Sequence, residues 1–144
     1  MIFREKLRPP LRVLAFIYFL LFSLVIAIWA SLGSEATTIA FILSLLGLGY
    51  SAVALTGEIK IDHEQVIVDR AHIERIYIGK VTSLSKDEMW LLRRRDADPA
   101  AFLSLKFWEP RGVRIEILDP RDSTPYWLVT SKRGDEIAAL LNKN

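Results

Sequence analysis

Few residues in this chain could do chemistry. The 144-residue sequence has two histidines and no cysteine. The missing thiols exclude disulfides, thiolate nucleophiles, iron–sulfur clusters and cysteine-based zinc sites. They also leave a reducing cytosol open as a location. His63 sits in an expected hairpin turn and His72 beside an expected strand, where solvated imidazoles are ordinary. No Ser-His-Asp arrangement, glycine-rich phosphate loop or His-x-x-x-His spacing accompanies them. Asp96, Asp98, Asp119 and Asp122 could form an acid–base pair or a hard-cation site. Each neighbours Pro, Ala or Arg in turn-forming sequence, so capping and turn duty account for them. No catalytic residue, metal ligand or cofactor is expected.

Arg93-Arg94-Arg95 is the one dense charge run. It suits the C-terminal end of a helix, where cations oppose the dipole. Its functional alternative is contact with lipid headgroups or an acidic partner, and Asp96 and Asp98 offset part of that charge. A second basic set, Arg4, Lys6, Arg8 and Arg12, lies in the first 12 residues and is a better membrane contact. Each such residue near an anionic leaflet is worth ~1 kcal/mol. Past Gly57 acidic and basic residues are equal in number, so the net charge of +2 is the +3 of the N-terminal arm (four Lys/Arg against Glu5) less the −1 of Glu35. Nucleic-acid binding therefore lacks its usual electrostatic footprint.

These residues hang on two long apolar stretches, Val13 to Ser34 and Ala36 to Gly57, with only Glu35 charged between Val13 and Gly57. A helix of about 22 residues at ~1.5 Å each reaches ~33 Å, enough for a ~30 Å hydrocarbon core. The expectation is a basic arm (1–12), a transmembrane hairpin (13–57, with spans near 13–32 and 37–56), and a cytoplasmic domain (58–144). Basic residues flank both outer ends and none lies in the connecting loop, which puts both termini in the cytoplasm of a multi-pass plasma-membrane protein. A cleaved signal peptide is the alternative, with Ser31-Leu32-Gly33 as its cleavage site. The apolar run exceeds an h-region of ~7–15 residues and a second span follows at once, which disfavours cleavage.

Small residues set the expected helix contact. The second span has Ala40, Ser44, Gly47 and Ser51, and the first has Ser23, Ala27 and Ala30, at spacings of three and four. That matched phase predicts a small-on-small seam. No ionisable group lies within either span and two helices enclose no cavity, which argues against transport.

Alternation with period two follows Gly57. Strands are expected around Ile59–Ile61, Val66–Val68, Ile73–Ile78, Leu103–Phe107, Val113–Ile117 and Tyr126–Thr130, with a bulge or bend at Gly79. Ser85-Lys86-Asp87-Glu88 is a capping-box signature that starts a helix running to about Arg95, burying Met89, Leu92 and Trp90. A last helix runs near Asp135 to Leu141 with Ile137, Leu140 and Leu141 on one face. The fold class is α+β: a two-helix hairpin, then a mainly antiparallel β domain of five to seven strands with a mid-domain and a terminal helix. Tyr126 and Trp127 point to opposite faces, so one must meet a covering helix, the hairpin or a partner. Trp127 or Trp108 is therefore expected to mark an interaction surface.

The segments Asp96–Leu103, Gly112–Glu116 and Thr124–Arg133, with Trp108, Asp119-Pro120 and the arm Phe3–Leu11, resemble a family of small actinobacterial membrane proteins of unknown function. The likeness spans nearly the whole chain, with Pro9-Pro10 doubling a position that often holds one proline. It implies a two-span protein with a cytoplasmic tail and supplies no reaction, ligand or catalytic residue. More loosely, the strand order is similar to membrane-anchored bacterial pleckstrin-homology-like domains, an analogy of topology alone. The resulting expectation is a non-enzymatic interaction module in the lipid bilayer, binding a protein partner or lipid headgroups, with homo-oligomers open. The alternatives are a structural subunit of a larger membrane complex and, third, an enzyme at the cytoplasmic face.

Overall fold

The computed structural model describes residues 1–143 in two compact units: Arg8–Thr56, and Met1–Leu7 together with Gly57 onward. The first is the expected hairpin. Helix α1 (Leu11–Leu32) and helix α2 (Ser34–Ala54) are each long and apolar enough to cross a membrane. Gly33 alone joins them, at φ 81°, a conformation that strains any residue with a Cβ. The expected longer loop is absorbed into α2, because the Thr37 hydroxyl donates to the Gly33 carbonyl (2.6 Å) and Thr38 to Ser34 (3.0 Å). Ser23, Ser44, Ser51 and Thr56 likewise donate to carbonyls three or four residues back. These hydroxyls need no water, a condition that suits a segment in hydrocarbon.

The seam is half as expected. On α2, Ala40, Ser44, Gly47 and Ser51 are partly buried. On α1 the small residues Ser23, Ala27 and Ala30 are exposed, and Ile17, Leu21, Val25 and Ile28 turn inward instead. A Cβ at Gly47 would lie 3.9 Å from Leu21 Cδ1. Large side chains thus fill the groove left by small ones, which gives more dispersion contact than two small faces could.

The second unit holds eight strands among the described residues. Strand β1 (Phe3–Leu7) pairs antiparallel with β2 (Gly57–Ile61), which pairs with β3 (Gln65–Val68) and then β4 (Ala71–Glu74). The expected free arm is therefore a sheet strand through Leu7, with Phe3, Glu5 and Leu7 buried and Arg4 and Lys6 outward. Its alternation is masked in the sequence because Glu5 takes an inward position that usually holds an apolar residue.

The run expected as one strand over Ile73–Ile78 is broken by a 3-10 turn at Arg75–Tyr77, where the chain changes sheets. Strand β5 (Ile78–Leu84) then pairs with β7 (Gly112–Ile117), with a register shift between Ile78 and Val81 that accommodates Gly79 as expected. Strand β8 (Tyr126–Thr130) lies between β7 and β6 (Phe102–Ser104). β6 runs parallel to β8, the exception to an otherwise antiparallel pattern. It ends at Ser104, so the expected row Leu103, Leu105, Phe107 is not continuous, and Leu103 and Phe107 are exposed.

Helix α3 (Lys86–Arg94) starts with the predicted capping box: Glu88 N–H donates to Ser85 Oγ at 3.3 Å and Ser85 N–H to the Glu88 carboxylate at 2.7 Å. Met89 is buried, Leu92 partly so, and Trp90 faces out. Helix α4 (Gly134–Leu141) buries Ile137 and Leu141. Its C-cap Asn142 closes the β5 edge, its amide donating to the Val81 carbonyl (2.7 Å) and accepting from Val81 N–H (3.0 Å). An otherwise open strand edge is thereby blocked.

Every residue of β8 is buried, because the sheet is covered on both faces. Trp127 joins the main core with Val113, Ile115, Ile59 and Ile61. Tyr126 packs with Met89 and Leu128 in a second cluster under α3. A covering helix resolves the Tyr126/Trp127 conflict posed by strand alternation.

Candidate interaction surfaces

The two tryptophans expected at a partner surface are not on one. Trp127 is 5% exposed and Trp108 is 8% exposed. Trp127 stacks at a tilt on Phe102 (centroids 5.0 Å apart), its partner across the β6–β8 pairing. Trp108 sits in a turn and supports Phe107 edge-on at 4.9 Å. Two-sided coverage of the sheet takes the Trp127 ring inside.

The basic arm is divided by its strand. Arg4 Nε donates to Glu58 at 2.6 Å, Lys60 Nζ meets the other oxygen of that carboxylate at 3.0 Å, and Lys6 lies 3.9 Å away. Lys60 and then Arg4 hold the Glu58 pKa below the usual carboxylate range. Arg4 and Lys6 are thus partly spoken for, while Arg8 and Arg12 are exposed at the start of α1. Arg93, Arg94 and Arg95 sit at the C-terminal end of α3, as the dipole argument expects, with Arg94 over the Trp90 ring at 5.3 Å.

Asp98, Asp119 and Asp122 serve turns. Asp98 accepts from Ala100 N–H (2.9 Å), and its own N–H donates to the Tyr126 hydroxyl (3.1 Å). Asp119 accepts from the Arg121 side chain and backbone, which lowers its pKa, the side-chain bond being the larger cause. Asp122 accepts from Thr124 N–H at 2.9 Å. His63 lines an open cleft of about 960 Å³ with Glu64, Gln65, Glu74, Arg75 and Ile76. His72 lies on β4, opposite Ile67. No three of the described His, Asp or Glu residues gather as a metal-binding group.

Two features carry no strong sequence signal. Glu5, 7% exposed, accepts from Ser131 Oγ at 2.5 Å and from Lys132 N–H at 2.9 Å. This buried carboxylate ties the first strand to the β8–α4 connection, and only its inward phase on β1 hints at it. The second is the turn Lys106–Glu109, closed by Glu109 N–H donating to the Lys106 carbonyl at 3.1 Å. It places Phe107, 69% exposed, at its tip. Its one trace in the sequence is Pro110, which lacks an N–H and directly follows the turn.

No curated protein and no solved structure matches this chain. A family model described as "Protein of unknown function (DUF3093)" matches residues 2–141, from the first strand to the terminal helix. The chain belongs to the DUF3093 family, whose function is unknown.

Proposed function

We propose that the chain is an integral plasma-membrane protein with α1 and α2 across the bilayer and both termini in the cytoplasm. Its β domain is a non-enzymatic interaction module that binds a protein partner or lipid headgroups. The observation that carries the shared side of the two termini is the pairing of Leu7 with Gly57. Paired Cα atoms lie ~4.5–5.5 Å apart, whereas a hydrocarbon core is ~30 Å thick. A hairpin whose two ends leave neighbouring strands must return to the face it started from. Two crossings satisfy that condition and one cannot. The exposed Phe16, Phe19, Phe22, Leu43 and Leu46 support an apolar solvent for the hairpin. Arg8 and Arg12 at its base, and no Lys or Arg near Gly33, favour the cytoplasm as the shared face. The resemblance to actinobacterial two-span proteins and to pleckstrin-homology-like domains belongs to the same reading, and two sheets followed by α4 support the second likeness.

The cysteine-free sequence permits a direct test. Single cysteines replace Ile2, Ser34 or Lys143 in whole cells, and a membrane-impermeant maleimide is added. Ser34→Cys should label at once, and Ile2→Cys and Lys143→Cys only after permeabilisation. Labelling of residues 2 and 143 from opposite sides would refute the arrangement.

The exposed Ser23, Ala27 and Ala30 favour a second reading, a structural subunit whose α1 packs on another membrane helix. Gentle detergent extraction distinguishes the two: a subunit arrives with constant stoichiometric partners, a module does not.

A further inference from the structure

Phe107 is an apolar ring at the tip of a turn, where polar residues are the rule. The turn is held firmly. Lys106 N–H donates to Thr130 Oγ1 at 2.9 Å, and buried Trp108 backs the Phe107 ring. Lys106 Nζ lies 3.5 Å from Asp69, whose carboxylate also accepts from Glu58 N–H (2.9 Å) and the Ser104 hydroxyl (2.8 Å). A Cβ on Gly57 would press into the Lys106 side chain. The turn is therefore fastened to the start of β2, and only Leu55 and Thr56 separate that point from Ala54, the end of α2.

Chain length sets how far that can be. Three steps at no more than ~3.6 Å put Gly57 within ~11 Å of the end of α2. The headgroup layer adds roughly 5–8 Å on each side of the hydrocarbon core. Once α2 spans, Gly57 lies in or just beyond that layer. The charges at this end fit an anionic surface. Glu58 and Asp69 are already paired, while Arg70 in the adjoining β3–β4 turn and Arg8, next after β1, are exposed. Leu118, also exposed at 57%, lies by contrast beside Tyr77, past the opposite end of β4.

We propose that the Lys106–Glu109 turn inserts Phe107 into the interfacial layer of the bilayer, with Arg70 and Arg8 meeting lipid phosphates. The turn is a lipid-contact site that holds the β domain down on its own membrane. This inference rests on the spanning reading of α1 and α2 and deepens it, naming the bilayer surface as what the module touches. Interfacial anchoring of this kind joins aromatic rings to basic residues at headgroup depth.

The test uses the full chain in phosphatidylglycerol–phosphatidylethanolamine nanodiscs, with no other protein present. A nitroxide is attached to Phe107→Cys, Leu118→Cys or Leu20→Cys, and collision with oxygen is compared with collision with a water-soluble nickel chelate. The label at 107 should favour oxygen several-fold over the label at 118, and the label at 20 should favour it most. Equal chelate access at 107 and 118, with residue 20 shielded, overturns the lipid contact and leaves the spanning hairpin standing. Chelate access at residue 20 as well removes both. Because the first substitution deletes the ring itself, a second probe at Pro110→Cys keeps Phe107 in place. Its chelate collisions should rise on adding Phe107→Ser, and no change there would also overturn the proposal.

Discussion

The hairpin and the β domain obey opposite burial rules. In the domain, apolar side chains go inside: β8 is buried along its whole length, and Ile61 and Val66 have no exposure. In the hairpin, the large apolar residues Phe16, Phe19 and Leu46 face out while Gly47 and Ser44 face in. One chain thus follows two packing rules, and the proposed spanning of a bilayer by the hairpin would account for the second. In water, removal of apolar area drives folding. Between helices in lipid that drive is absent, and close backbone approach takes over.

The largest expected contrast compares one truncation in each region. Ile61→Ala should lower domain stability by ~2–5 kcal/mol, because the cavity forms in a filled core. Leu46→Ala, on an outward face, should change it by no more than about 0.5 kcal/mol. Chemical denaturation in detergent, followed by tryptophan fluorescence, reads both, and equal effects would break the contrast. Overpacking comes next. A Cβ at Gly112 would press on the Val129 carbonyl oxygen and on Met89, so Gly112→Ala should cost ~1–3 kcal/mol in the same assay.

Within the hairpin, Gly47→Leu should splay the helices, since Leu21 already fills that groove, whereas Ala30→Leu should be tolerated. Disulfide crosslinking between cysteines introduced at Val25 and Ala40 measures the difference. A loss of crosslinking with Ala30→Leu alone would restore the small-on-small seam. The smallest effect is electrostatic. Lys60 and Arg4 lower the folded-state pKa of Glu58, so its contribution is present above the unfolded carboxylate pKa and is lost as pH falls through the lowered one. Domain stability should dip slightly in acid below the usual carboxylate range, and Glu58→Gln should shrink that dip in a pH series of thermal melts, Asp119 keeping a share of its own.

Period and composition made much of this chain legible. The two apolar helices, the Ser85 capping box, the Gly79 irregularity and the inward row Val113, Ile115, Ile117 all follow from local residue order. The β1 strand was hidden by Glu5, whose inward position makes sense only once Ser131 and Lys132 are beside it. The seam on α1 is not legible by phase, since small residues mark a groove on α2 but not which face of α1 will fill it.

Sequence alone determined the two apolar helices, the α3 cap and most of the strands, because helix length, strand alternation and caps are properties of neighbouring residues. Tertiary structure alone decided that residues 3–7 and 57–61, separated by the whole hairpin, are adjacent strands. It also decided that β8 is covered on both faces and that the Phe107 turn is fastened to the base of β2. Those facts depend on contacts between segments far apart in the chain, and no local pattern encodes which distant backbone will satisfy a strand's open hydrogen bonds.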